Sequence, residues 1–492
     1  MDHRNTAAPV RYARDAVWVR AGVGLRGSGG TRIALTGPRR LARLAEIWRR
    51  LEAASSDPDV SPVAFVGSTF VEDSAVSSIL HVPASVRRVG EEGEWTQFVS
   101  SQALADALAA DAEGLGEHAA HAARELPDGD LGLTRDEDDE ETGDTLPPPS
   151  AVKSRGAKRY TRLVKRVLTR IAAGEAEKVV TSRAVDLTVT PDVLGALPAT
   201  LAEAYPNAWT FAVGGLVGAT PEMLAARDGD RVTSRVLAGS LPRGTRPDAE
   251  LRAELTGSER FAAEHAHAAR SVIDGLARVL TLENADPEPF VLELPNILHL
   301  ATDVIGTPTG EIGLLDVLDG IHPTAAVGGT PTDAALAIIA DLETHDRGRY
   351  AGPVGWLDAA GDGEIGLALR CGQVDGHSIR LYAGGGIVAG ADPAAELAET
   401  EGKLRPMREA LGDATAAPDG DTTSASEGDT AAPDGDATAA PDGDATSASE
   451  GDTAAPDGDA TAAPDGDATP APEGDTTPAP NGDTTPAPDG DE

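Results

Sequence analysis

The chain has 492 residues, of which 25% are charged and 3% aromatic, and 81 Asp and Glu against 41 Lys and Arg give it a formal charge of -40. An acidic surface of this kind repels phosphate backbones and anionic lipid, which argues against nucleic acid or membrane partners. The single cysteine, Cys371, rules out an internal disulfide and any multi-cysteine metal site.

The charge is unevenly spread. Residues 411–492 carry 21 acids and no base, which leaves 60 acids against 41 bases before them. Only five of the bases are lysines: Lys153, Lys158, Lys165, Lys178 and Lys403. An acid-rich, lysine-poor chain suits a cytoplasm of very high salt, where screening weakens self-repulsion, so a halophilic surface is expected. No apolar run approaches the roughly 18 residues of a membrane span, and residues 1–25 lack a signal-type apolar segment. A cytoplasmic location is the corresponding expectation.

Near the N-terminus, Trp18-Val-Arg-Ala-Gly-Val-Gly-Leu25 and Pro62-Val-Ala-Phe-Val-Gly67 read as strands rich in β-branched residues. Nothing in residues 1–150 reads as chemistry. This region either joins the body in one sheet system or stands alone, and it ends in an acidic, proline-closed linker at residues 128–150. The body, residues 151–411, opens with a helical period over 158–173, where Tyr160, Leu163, Val167 and Ile171 share a face and Gly174 closes it. Lys178-Val-Val-Thr-Ser-Arg183, Trp209-Thr-Phe-Ala-Val213, Ile365-Gly-Leu-Ala-Leu-Arg370 and Ile379-Arg-Leu-Tyr-Ala383 read as strands. Strands and helices follow one another without regular βαβ alternation, so the fold class is α+β with largely antiparallel sheets. Residues 412–492 repeat Ala-Pro-Asp-Gly-Asp-Ala-Thr with small variations and cannot bury enough apolar surface to order, so a disordered acidic tail is expected. Its Asp-Gly-Asp pieces lack the spacing and the bidentate glutamate of a calcium loop.

Two helices carry the candidate chemistry. The period over residues 258–280 aligns Phe261, Ala268, Val272, Leu276 and Val279, and Glu264 lies in that apolar stripe. A carboxylate facing a core needs a partner, which is either a metal or an arginine such as Arg260 or Arg270. The last helix opens with Asp392 as cap and Pro393 as first residue. At about 100° per residue, Glu399 falls about 300° and Lys403 about 340° from Glu396, beside the buried seam of Thr400, Leu404 and Met407. These three charges read either as a surface Glu–Lys pair or as part of a site. Glu264, Glu396 and Glu399 together would supply the hard oxygen ligands that Mg²⁺ prefers, and the backbone of Gly384-Gly-Gly386 lets an anion approach closely. In a chain that uses arginine almost everywhere, Lys178 and Lys403 stand out because a lysine, unlike an arginine, can release its proton and act as a base.

These segments resemble a known family. Lys178-Val-Val-Thr-Ser-Arg183, Gly218-Ala-Thr-Pro-Glu222, Leu237-Ala-Gly-Ser240, Glu264-His265, His299-Leu300, residues 322–331 and 347–356, Leu369-Arg370 and residues 383–403 are similar, in that order, to motifs of the chorismate-utilising enzymes. The similarity covers about residues 159–411 and is strongest to the isochorismate-forming members. The resemblance implies large, mostly antiparallel sheets packed together with helices outside, acting as a monomer. It also implies a Mg²⁺-dependent isomerisation of chorismate in which water adds at ring C2 and the C4 hydroxyl leaves, with menaquinone synthesis as the expected use. By the same resemblance, Lys178 is the general base and Glu222 the general acid, so Lys178 should titrate low and Glu222 high. Glu264 and Glu399 match the direct magnesium ligands, and Glu396 matches a carboxylate that reaches the ion directly or through water. Tyr350, Arg370, Gly386 and Lys403 match groups that hold the enolpyruvyl carboxylate. Gly239 and Ser240 line the ring site, and His299 sits near the reacting face.

Family members that use ammonia usually lack a lysine at the Lys178 position, so its presence argues for water. Salicylate-forming members keep that lysine, eliminate pyruvate as well, and tend to carry threonine where this chain has Ala326; salicylate formation is the second reading. A non-catalytic acidic interaction protein is the reading from another class. The chain departs from the family pattern at Arg260-Phe261, where Lys-Asp is usual, and at Ala325, where a second proline is usual.

Overall fold

The computed structural model describes residues 14–53, 62–90, 94–97, 101–113, 115, 118–123, 149–244, 246–293, 297–310 and 312–412. The expected acidic linker core and the tail beyond residue 412 lie outside the described residues. Two antiparallel sheets face each other. The first runs β17 (Gly329–Thr330), β9 (Lys178–Thr188), β21 (Ser378–Val388), β20 (Cys371–Asp375), β11 (Leu216–Thr220), β10 (Trp209–Val213), β1 (Asp15–Arg20), β2 (Val23–Ser28), β6 (Ser85–Val89) and β7 (Glu94–Thr96). The second runs β14 (Leu280–Leu282), β16 (Ile297–Pro308), β13 (Arg231–Pro242), β12 (Met223–Asp228), β19 (Gly363–Leu367), β18 (Pro353–Asp358), β4 (Val63–Gly67), β5 (Ser78–Val82), β3 (Thr31–Leu35) and β8 (His121–Ala123), with β15 (Phe290–Glu293) paired to β16. The described helices are α1 (Arg40–Ala53), α2 (Ser101–Ala112), α3 (Pro149–Ala172), α4 (Pro191–Ala204), α5 (Asp248–Gly257), α6 (Glu259–Leu276), α7 (Leu314–Asp319), α8 (Thr332–Leu342) and α9 (Pro393–Ala410).

The first sheet is covered on both faces, which explains why its strands read as nearly continuous apolar runs. Along β1, Ala16 and Trp18 enter the core shared with Phe65, Leu80 and Ile365 of the second sheet. Val17 and Val19 pack on the other side with Leu194, Leu197 and Leu201 of α4 and with Leu404 and Met407 of α9. A third cluster sets Tyr160, Val164, Val167 and Ile171 of α3 against Val179, Ile387 and Ile338 of α8. The Trp18 indole N–H finds its partner in Glu364 Oε2 at 2.7 Å.

The segment 18–25, expected as one strand, is a hairpin. Arg20 pairs with Val23, and the two loop residues Ala21 and Gly22 have φ of 51° and 78°, the left-handed pair that matches strand twist. Strands of the N-terminal region lie inside both sheets, β1 beside β10 and β4 beside β18. The strand expected over 365–370 stops at Leu367, and the chain then crosses from one sheet to the other before β20.

Candidate active site

The site forms where the chain crosses between the sheets. Glu222 lies on the crossing from β11 to β12, and Arg370 on the return from β19 to β20. The two crossings are stapled together by Ala219 N donating to Arg370 O at 3.2 Å and Leu367 N donating to Glu222 O at 3.0 Å. Arg370 and Ala351 are non-glycine residues at φ of 48° and 61°, a costly region for an L side chain. Ala351 N donates to Ala368 O at 2.9 Å, which fixes the turn bearing Tyr350 beside Arg370. Burial pushes the Glu222 carboxyl up to about 7, partly offset by the charges of Arg370, Lys178 and Lys403. Burial lowers Arg370, raises the Tyr350 phenol and lowers His299, so this tyrosine and histidine are neutral at physiological pH.

The three consecutive glycines of β21 are a thin wall. A methyl group on Gly386 would lie 2.7 Å from Lys178 Cε, and one on Gly384 would lie 3.0 Å from the Tyr350 hydroxyl. On Gly385, which faces the opposite way as strand geometry requires, it would lie 2.9 Å from Glu396 Oε2. Lys178 and Tyr350 therefore press on one face of the wall and Glu396 on the other, with no side chain at 384–386 to separate them. Lys403 Nζ donates to Gly384 O at 2.8 Å and pairs with Glu399 at 2.5 Å. The surface-pair reading of α9 thus holds for Glu399 and Lys403, while the same lysine also reaches the site wall. Asp392 caps α9 as expected, its side chain accepting from Ala395 N at 3.0 Å.

One oxygen of the expected ligand set is left open to a hard cation. Glu396 Oε2 is buried without a hydrogen-bond partner. Burial and then the neighbouring charge of Glu399 raise its pKa, and a divalent ion would relieve both penalties. Among the described residues no three His, Cys, Asp or Glu side chains form a metal-holding group. The Glu264 side chain lies outside the described residues, although α6 carries it one position before His265. Of the arginines weighed as its partners, Arg260 lies over the Phe261 ring, and Arg270 faces Asp274 and Asp286.

Gly239 and Ser240 sit on a β-bulge, where β13 gains one residue between Leu237, opposite Ala301, and Ser240, opposite His299. Gly239 has φ of 82° there. The Ser240 side chain lies outside the described residues, while its backbone register puts it beside His299. His265 locks α6 onto this bulge: Nδ1 shares a hydrogen with Ala238 O at 3.0 Å and Nε2 with the Thr302 hydroxyl at 2.6 Å. Ala326 lines a small cavity together with Glu222.

Some functional neighbours escaped the sequence reading. Arg347 holds both oxygens of Glu343, at 2.8 and 2.7 Å, and also donates to Val180 O at 2.6 Å and Val327 O at 3.0 Å. Glu343 in turn accepts from Ser182 N at 2.6 Å and the Ser182 hydroxyl at 3.0 Å. This buried pair ties the strand that begins at Lys178 to the loop that carries Ala326. Tyr160, read as core, reaches the Thr181 hydroxyl at 3.1 Å and lies behind Gly385 beside Glu396. Its only local signal was a hydroxyl on an otherwise apolar stripe.

Comparison with known proteins gives a consistent picture. The family model described as chorismate binding enzyme matches residues 27–412. The chain is 38% identical over 268 residues to isochorismate synthase DhbC of Bacillus subtilis (strain 168), covering 51% of this chain and 67% of that one. It is 32% identical over 260 residues to isochorismate synthase MenF of the same organism, covering 51% of this chain but only 55% of that protein. Among solved structures, a putative 2,3-dihydroxybenzoate-specific isochorismate synthase, DhbC from Bacillus anthracis, superposes with a TM-score of 0.61 at 25% identity, over 84% of this chain and all of that one.

Proposed function

This chain belongs to the chorismate binding enzyme family, and from that premise we propose that it is an isochorismate synthase. The observation that carries the reading is a carboxyl, Glu222, that burial pushes up to about 7, set among Arg370, Lys178 and Lys403. Lys178 Nζ takes a proton from the water that adds at C2, and Glu222 gives its proton to the C4 hydroxyl, which leaves as water. One water enters and one departs, so the reaction is an isomerisation with no redox partner. Arg370, Lys403 and Tyr350 hold the enolpyruvyl carboxylate, and Gly386 leaves room for it against the wall. Gly239, Ser240, His299 and Ala326 surround the ring.

Mg²⁺ is the proposed cofactor, held by Glu264, Glu396 and Glu399. When bound, it would neutralise and orient the ring carboxylate. All the proposed groups come from one chain, so a monomer suffices.

Incubating the pure protein with chorismate and Mg²⁺ tests the reading. Isochorismate alone is expected, salicylate with pyruvate would establish the second reading, and no turnover would leave the interaction protein. Lys178→Ala is expected to cut kcat about 10²- to 10⁴-fold while chorismate binding is retained. Unchanged turnover would remove Lys178 from the role of base. Menaquinone synthesis is the finer proposal, supported by the relative named MenF, while the DhbC relatives point to 2,3-dihydroxybenzoate. Loss of menaquinone on deletion of the gene supports the first, and unchanged menaquinone refutes it.

A further inference from the structure

Behind Glu222 lies a cavity of about 20 Å³, bounded by Glu222, Ser234, Leu237, Val272, Thr324 and Ala326 among others. One water needs about 10–15 Å³ and at least two polar partners. Most of the lining is apolar, yet the Thr324 hydroxyl is buried there with no hydrogen-bond partner. The Thr324 carbonyl is already used, accepting from Val327 N and Gly328 N at 3.2 and 2.9 Å. Ser234 spends its hydroxyl proton on Leu224 O at 2.7 Å, which leaves its oxygen free to accept.

We propose that this cavity binds one water, held by Thr324 Oγ1 and Ser234 Oγ, which donates a hydrogen bond to the Glu222 carboxyl, making Thr324 a positioning residue for the acid. The water accepts the Thr324 proton and gives one of its own to a Glu222 oxygen. When Glu222 surrenders its proton to the leaving hydroxyl, that hydrogen bond strengthens onto the new carboxylate. The other charges acting on Glu222 are Arg370, Lys178 and Lys403, and Arg235, which also lines the cavity, is turned outward to Asp303 at 2.5 Å. The role in turnover rests on the isochorismate synthase reading; the water and its effect on the carboxyl do not.

Two measurements on the full chain test this. A high-resolution crystal structure is expected to show one water within hydrogen-bond distance of Thr324 Oγ1 and a Glu222 oxygen. Infrared titration of the carboxyl, assigned by its loss in Glu222→Gln, is expected to move up by about one unit in Thr324→Val, because a donor to the charged form is removed. Thr324→Ser, which keeps the hydroxyl, is expected to titrate like the parent. The alkaline limb of kcat/KM should move with the carboxyl. A dry cavity, or a carboxyl unmoved in Thr324→Val, overturns the proposal, and if that variant does not fold, the density alone decides. A carboxyl that moves while no chorismate is turned over sinks the isochorismate synthase reading and leaves the water intact.

Discussion

Burial raises Glu222 while three cations pull it down, and burial is the larger effect, so the carboxyl titrates at about 7 in place of 4.5. A general acid works only while protonated, so kcat/KM should fall as pH rises through about 7, and Glu222→Gln should lose that limb together with about 10²- to 10⁴-fold of the rate. The same shift bears on stability. The raised native pKa means that folding is favoured where both states are protonated, below about 4.5, and that this advantage is lost as pH rises through about 7. Glu222→Gln should therefore raise the melting temperature at pH 8 and do so much less at pH 5. Equal effects at the two pH values would mean that Glu222 is ionised throughout. The motif containing Glu222 was legible in the sequence, but the burial that tunes it was not, since it comes from the close approach of two chain crossings.

At the scale of elements, what was local was legible. Asp392 and Pro393 start α9 as their residue types dictate, and the apolar face of α3 lands in the core through Tyr160, Val167 and Ile171. The hairpin at 18–25 was hidden because both faces of the first sheet are covered, which removes the alternation that marks strand ends. The Arg347–Glu343 pair was hidden for another reason: Arg347 lies in a quoted motif, but Val180, 167 positions away, comes to it only through the fold. Removing one partner of a buried pair leaves an uncompensated charge, so Arg347→Met should destabilise by about 3–5 kcal/mol in urea unfolding. Adding Glu343→Gln should recover part of that loss. Additive losses would mean that the two side chains do not act as a unit.

At the scale of the whole molecule, pairing β1 beside β10 and β4 beside β18 makes the N-terminal strands part of the sheets that carry the site, a long-range choice that strand patterns do not reveal. Charge, by contrast, is readable from the sequence alone. Before residue 411 there are 60 acids to 41 bases, and the segment after it adds 21 acids with no base. The screening length shrinks from about 10 Å at 0.1 M salt to about 3 Å at 1 M, so repulsion among carboxylates on the folded surface fades over that range. The melting temperature should accordingly climb between 0.1 and 2 M KCl. If the folded body is the source, a chain ending at Leu411 should keep most of the climb, since it retains an excess of 19 acids. A climb that vanishes with the truncation would assign the salt response to the tail. A melting temperature that is flat or falling in KCl for both chains would mean that this acidic surface is no adaptation to salt, because repulsion strong enough to select against lysine would have to be strong enough to measure.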